Sequence, residues 1–378
     1  MIGLHSVSTI VIYQQDIPLL SSKESKIRKM LDSMDLTNYG FSYLKEPFSL
    51  SFYEQWIEAG KHGEMEFLKN HLPQKKDPSL LLGEAKSAIV IAQNYAPHPE
   101  PVNLGFKNSE IPKVALFARG EDYHRWLKAK CDQIIEELSK MYPKEQFVSF
   151  TDSAPVLERD LAHRAGLGWV GKNTCLIHPQ KGSLFFIAEI FTTMSLQAED
   201  QLVPDRCGTC TKCIDICPTN ALTERELDAT KCISYWTIEA KEIAPKDLRS
   251  NFGSWYFGCD ICQSVCPWNK KVFGKEFFGS LQDQGVYGAE DELSEEKRNN
   301  LIDDLKWILT SSNKKIQKRF LGTALSRASG NSHKRNSLYL VENFHLKELK
   351  PEIEHLASTT KNESLISLSR LVLSNLEL

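Results

Sequence analysis

The sequence predicts a multidomain α+β chain in three parts: a mixed helix-and-strand domain, a cysteine-rich module and a tail of α-helical repeats. Three observations carry that expectation. The chain has 378 residues, too many for one compact core. Helical and extended hydrophobic periods alternate as far as about residue 201, the pattern of an α/β domain. Beyond about residue 301, short amphipathic helical segments follow one another with short breaks, as in an α-solenoid. A composition of 41% hydrophobic and 25% charged residues is that of an ordinary soluble chain, and a net charge of -3 directs no whole-molecule field at nucleic acid.

Residues 1–21 carry little pattern and read as an N-terminal extension. Within 22–201, apolar residues recur at three- and four-residue spacing over 24–34, 51–71, 121–142 and 155–165, which predicts helices there. Short apolar runs at 88–92, 114–117, 147–150 and 184–188 predict strands. Residues 202–275 hold most of the cysteines. Residues 276–300 include Glu290-Asp291-Glu292 and Glu295-Glu296 and read as a solvated acidic linker. In 301–378 the periodicity predicts helices at about 301–310, 315–327, 334–343, 346–357 and 362–376, short enough to pack as HEAT-like pairs. No apolar run approaches the roughly 18–20 residues that cross a bilayer, and the first residues show no export pattern. The expectation is a cytoplasmic monomer with no membrane partner. In that reducing compartment, ten cysteines point to metal binding rather than disulfides.

Cys207, Cys210, Cys213, Cys217 and Pro218 fit C-x2-C-x2-C-x3-C-P without a gap. Cys259, Cys262, Cys266 and Pro267 fit C-x2-C-x3-C-P, and Cys232 lies between the two runs. In two-cluster ferredoxins the last cysteine of each run ligates the other cluster. One [4Fe-4S] cluster is therefore expected on Cys207, Cys210, Cys213 and Cys266. The other falls to Cys217, Cys232, Cys259 and Cys262. Structural zinc also uses paired C-x2-C thiolates, but it rarely needs the interlocked x3-Cys-Pro arrangement twice. Cys131 and Cys175 remain as core residues.

Adjacent clusters move electrons one at a time, so a place where they are used is expected in the preceding domain. Asp152 ends a predicted strand just ahead of a helix, where functional side chains commonly sit; the plain alternative is a helix cap. Gly166, Gly168 and Gly171 surround Trp169 and allow close backbone approach, without a Walker or complete dinucleotide motif.

Thr151-Asp152-Ser153-Ala154-Pro155-Val156-Leu157-Glu158-Arg159, Gly168-Trp169-Val170-Gly171-Lys172-Asn173-Thr174 and the cysteine pattern together resemble the epoxyqueuosine reductase family. So do Lys75-Lys76-Asp77-Pro78, Ala118-Arg119-Gly120-Glu121-Asp122-Tyr123-His124 and Ile233-Ser234-Tyr235-Trp236-Thr237-Ile238-Glu239. The likeness spans roughly residues 24–345. It implies cobalamin bound in the 22–201 domain beside a ferredoxin-like module. It also implies reduction of epoxyqueuosine to queuosine at the tRNA wobble position, the last step of queuosine biosynthesis, with Asp152 as proton donor. An acid within reach of the departing oxygen lowers the barrier, provided that desolvation keeps it protonated. Lys76, Arg119, Asp152, Arg159, Lys172, Asn173, Ser183 and Ser234 are the residues expected to hold the cofactor. At Lys76 the family pattern expects arginine, and lysine lacks the bidentate fork. No axial cobalt ligand stands out among His62, His124, His163 and His178.

Residues 313–341 contain seven lysines and arginines and no acid. Lys315, Arg319, Arg327, Lys334 and Arg335 are expected to meet tRNA phosphates. The modified base must be splayed into the pocket, and Tyr235, Trp236 and Trp255 are candidates to stack on it. A low-potential electron donor is also required. The competing readings are a corrinoid reductive dehalogenase, which leaves the basic tail without a use, and a two-cluster electron carrier, which leaves the first domain without one.

Overall fold

A four-stranded antiparallel sheet organises the first part of the computed structural model, which describes residues 22–96, 104–107, 112–198, 202–278 and 293–377. Its strands are β1 (Tyr39–Tyr43), β2 (Ser87–Asn94), β3 (Phe147–Thr151) and β4 (Phe185–Thr192), in spatial order β1-β2-β4-β3. Every neighbouring pair is antiparallel, so the domain is α+β rather than a parallel α/β unit. The two central strands are apolar on both sides because helices cover both faces. On one face Ile27 and Leu31 of the Ser22–Ser33 helix, with Leu127, Ile134 and Leu138 of the Tyr123–Met141 helix, pack on Ile89, Ile91 and Ile190. On the other, Leu161 and Ala162 of the Glu158–Arg164 helix pack on Ala88, Val90 and Phe191.

Several predicted boundaries move for identifiable reasons. The expected 51–71 helix breaks into Leu50–Glu58, Glu66–Asn70 and then Leu72–Lys76. Gly60 and Gly63 adopt positive φ there, and a Cβ on Gly63 would stand 2.5 Å from the Tyr235 hydroxyl. The expected 114–117 strand shrinks to Lys113–Val114, paired with Trp255–Phe257, because the chain then turns through a 3-10 segment at Leu116–Ala118. β1 was not anticipated. Its Gly40 passes so near the Ala165 carbonyl that a Cβ would lie 1.9 Å from the oxygen.

The extension 1–21 and residues 279–292 of the linker lie outside the described residues. Glu295 and Glu296 belong to no loop: Ser294 caps the Glu295–Thr310 helix by accepting from Lys297 N, and the two acids occupy its favourable first turn. The helices Asn313–Phe320, Gly330–Asn343, Lys350–Thr359 and Glu363–Asn375 follow. The expected 315–327 helix stops at Phe320, and a 3-10 turn occupies Ala324–Arg327. These helices share one apolar core with the cysteine-rich module: Phe252, Tyr256 and Phe257 are buried with Leu305, Phe320, Tyr339 and Leu368.

Candidate active site and cluster module

β3 delivers Asp152 to the edge of a tight loop, closed by Ala154 N donating to Thr151 O (2.8 Å) and Val156 N to Ala154 O (2.8 Å). The loop's Asp152 does not cap the following helix, whose N-cap is Leu157. Its carboxylate instead accepts from the Tyr123 hydroxyl and from His124 Nε2 at 2.7 Å. Asp122, the N-cap of the Tyr123–Met141 helix, lies 2.8 Å from His124 Nδ1, so the imidazole is held between two carboxylates. Tyr123 is fixed by stacking on Phe186 at 3.9 Å and on His124 at 4.1 Å.

Burial pushes the Asp152 carboxyl up, but hydrogen bonds from His124 and Tyr123 and the charges of His124 and Arg327 outweigh it, leaving a net downward shift. The expectation of a carboxyl kept protonated by desolvation is therefore corrected: partners decide the sign. The hydrogen bond to Asp152 is the main cause that raises His124. Glu158 moves the other way, pushed to about 8 by burial and by the charge of Asp152, against Arg159, Lys75 and His124. Glu189, in the middle of β4, is driven well above the carboxylate range by burial, with Glu158 and Asp152 adding to it.

Of the residues expected to hold the cofactor, Arg159 is exposed beside this loop and donates to Thr174 O. Lys76 is exposed, whereas the buried lysine is its neighbour Lys75, with Nζ 3.4 Å from Val156 O and 5.4 Å from the Tyr53 ring. Lys172 and Asn173 are buried; Lys172 faces Glu224 at 3.5 Å and Asn173 reaches Cys262 O at 3.5 Å. Ser183 and Arg119 are committed inside the fold. Ser183 bonds to Gln263 and Asn269 of the cluster module, and Arg119 Nε donates to Val114 O at 2.7 Å. The Ser234 side chain makes no hydrogen bond among the described residues. Tyr123, Glu158 and Lys75 sit within the sequence motifs but had no assigned role, and His124 was weighed only as an axial cobalt ligand. Glu189 had only one signal, being the single acid in an apolar strand.

The cysteines fall into two neighbourhoods. Cys213 lies within electrostatic reach of Cys207, Cys210 and Cys266, and Cys259 within reach of Cys232 and Cys217. Cys262 faces Cys259, Cys232 and Cys217. Among the described residues, no three His, Cys, Asp or Glu side chains converge as ligands of one metal ion. Donors already point at the sulfurs: Trp169 Nε1 to Cys207 Sγ at 3.4 Å and Ala221 N to Cys217 Sγ at 3.3 Å. Backbone N–H groups of Ser234 and Tyr235 face Cys232. Cys131 is core, as expected. Cys175 is only half-buried and lies near Cys262, Cys266 and Cys213.

The basic stretch divides. Lys315 is exposed, Lys334 is half-buried, and Arg327 is exposed but paired to Glu239 at 2.7 Å, close enough to Asp152 to influence it. Arg319 lies 4.4 Å from the Trp307 ring and bonds to Gly105 O. Arg335 is corrected from the phosphate-binding set. It is buried, donating to Ala240 O, to Trp236 O at 2.6 Å and to Asn336 Oδ1 at 3.1 Å, so it fastens backbone carbonyls. Tyr235, Trp236 and Trp255 are likewise core residues, not stacking surfaces.

Residues 206–269 match the model of a 4Fe-4S double cluster binding domain, and residues 75–153 match the model described as Epoxyqueuosine reductase QueG, DUF1730. An epoxyqueuosine reductase of Leadbetterella byssophila is 44% identical over 216 residues, covering 57% of this chain and 69% of that protein. Two solved epoxyqueuosine reductases share the fold. One, with a tRNA-Tyr epoxyqueuosine-modified stem loop, has TM-score 0.73 and 24% identity, covering 94% of this chain and 90% of that chain. The other, from Bacillus subtilis with its catalytic aspartate loop swung out of the active site, has TM-score 0.72 and 24% identity, with 94% and 90% covered. The chain therefore carries a 4Fe-4S double-cluster domain in a mixed α+β fold with a helical C-terminal region, and it belongs to the epoxyqueuosine reductase family.

Proposed function

We propose that this chain reduces epoxyqueuosine to queuosine in tRNA, the last step of queuosine biosynthesis, with cobalamin and two [4Fe-4S] clusters. The observation that carries the reading is the Asp152 carboxylate, aimed by Tyr123 and His124 and lying on the sheet domain that packs against the cluster module. The reaction balances as epoxide plus two electrons plus two protons, giving alkene plus water. When bound, cobalamin supplies the strongly reduced centre that delivers those electrons to the strained ring. A group with an amide periphery and a phosphate-bearing tail needs cations, donors and acceptors. The exposed Lys76 and Arg159, the uncommitted Ser234 hydroxyl and the buried pair Lys172 and Asn173 offer them, so the residues fit. Arg119 and Ser183 serve instead to hold the loop to the module.

In this reading Asp152 hands the proton to the departing oxygen, and the two donors on its carboxylate, Tyr123 and His124, hold it in position. Lys315, Lys334 and Arg327 are the tail residues that bind tRNA phosphates, on helices arranged as HEAT-like repeats. The division into 22–201, 202–275 and 301–378 follows these roles. The chain acts as a cytoplasmic monomer, and an external low-potential donor feeds the exposed cysteine loop.

The test is turnover of an epoxyqueuosine-bearing stem loop by protein reconstituted with iron, sulfide and cobalamin, read as loss of one oxygen from the nucleoside. Metal analysis should give about eight irons, two clusters of four, and one cobalt. Intact cofactor loading without any loss of oxygen would sink the proposal.

A further inference from the structure

The groups that orient Asp152 also hold it ionised, yet the proposed reaction takes up two protons per turnover. Two further carboxyl groups lie behind the loop. Glu158 opens the helix that follows Asp152, and the turn between them keeps the two carboxyls within electrostatic reach. Its Oε1 is buried without a hydrogen-bond partner among the described residues.

Beneath that helix, β4 pairs Glu189 with Val90 on one side and Phe150 on the other. Strand alternation sends its side chain to the face of Phe191, the face that the Glu158–Arg164 helix covers. Both Glu189 oxygens are buried and unpartnered.

Burying an ionised carboxylate without partners is costly, which holds the fully buried Glu189 as a neutral acid and pushes the half-buried Glu158, with one oxygen enclosed, toward the same form. The charged neighbours do not reverse this. Lys75 turns its ammonium to the Val156 carbonyl and the Tyr53 ring, and Arg159 is engaged at Thr174 O. His124 and Asp152 face Glu158 from the helix start and from the loop, and Glu189 faces it from the sheet. His124 is the other protonated neighbour of Asp152. It is gripped on its far nitrogen by Asp122, and giving up its proton would break that ion pair.

We propose that Glu158 is the proton reservoir of this site: its carboxylic acid passes a proton to the Asp152 carboxylate, and the Asp152 acid so formed hands it to the departing oxygen, with Glu189 as the second acid behind it. Each transfer breaks one O–H bond and forms another: the first moves one negative charge from Asp152 to Glu158, the second moves the charge of the departing oxygen onto Asp152, and no electron moves. The inference rests on the epoxide reduction proposed above.

Two readouts test it. Infrared spectra of the cluster-loaded, cobalamin-free protein across pH 6–9 should show a protonated carboxyl that titrates near pH 8. That band should be missing in Glu158→Gln, while a second, non-titrating carboxyl is missing only in Glu189→Gln. In single-turnover assays, Glu158→Gln should slow conversion by about 10- to 100-fold. Stem-loop affinity should stay unchanged, the alkaline limb of the rate profile should shift, and Glu158→Asp should restore part of the rate. Wild-type protein with no carboxyl titrating near pH 8, or Glu158→Gln with unchanged rate and pH profile, overturns the reservoir alone. Wild-type protein that converts no stem loop overturns the functional reading, and the transfer step with it.

Discussion

The two cysteine loops share one grammar and live in opposite surroundings. The 207–217 loop lies at the surface: its helical turn, Lys212–Asp215, buries no side chain, and Gly208 and Thr209 are exposed. The 259–266 loop is embedded, with Asp260, Ile261, Ser264 and Cys266 buried and the Asp260 carboxylate accepting from Leu116 N at 2.6 Å. The difference teaches that cysteine spacing specifies what is bound, while the packing around it specifies what that group does. The open loop suits exchange with an external donor, and the closed one suits delivery toward the sheet domain. Cys217 lies within electrostatic reach of Cys262 and Cys266 within reach of Cys213, so neither loop is independent.

That contrast can be broken by substitution. The largest effect is expected from Cys262→Ser, which should lose both turnover and the folded state, because ligand binding and folding of the embedded loop are coupled. Cys210→Ser should lose about half the iron yet keep its circular dichroism. Equal damage from the two would erase the distinction between the loops. Next comes Asp152→Asn: turnover should fall by roughly 10²–10⁴-fold with cofactor and stem-loop binding kept, and normal turnover would remove Asp152 from the chemistry.

The same buried-against-exposed logic applies to the tail. Arg335→Met should cost about 3 kcal/mol, since it strands several buried carbonyls, and should show as a lowered Tm with unchanged RNA affinity in the folded fraction. Lys315→Ala is the smallest change. It should leave Tm unaltered and reduce the salt-dependence slope of stem-loop binding by about one.

The cysteine runs stand out because three or four thiolates at fixed spacing have few other uses, and Asp152 because it stands at a strand end in a long motif. What stayed hidden depended on contacts distant in sequence. Lys75 rather than Lys76 is buried because the short Leu72–Lys76 helix turns that side toward Val156. Arg335 was read as a surface charge, since nothing nearby in sequence tells that Trp236 and Ala240 would present carbonyls to it. β1 escaped because its pattern is short, and its Gly40 answers to Ala165, more than a hundred residues away. The helix break at Gly60 and Gly63 was missed although the glycines signal it, and Gly63 in addition answers to the distant Tyr235.

The shared core of the cysteine module and the C-terminal helices has a consequence in time. Asn336 holds the carbonyls of Thr237 and Tyr256 at 2.8 and 2.9 Å, Asn343 those of Arg249 and Gly253 at 3.0 and 3.1 Å, and Arg249 pairs with Glu342 at 2.6 Å. The segments bearing Cys232 and Cys259 thus find their walls only after residues 330–343 have left the ribosome. Because folding during synthesis runs from the N-terminus, the sheet domain would stand complete while the thiolates still waited. Iron and sulfide would then enter a finished but unclosed vessel, and nascent chains arrested before residue 330 should retain the sheet domain and bind no stable clusters.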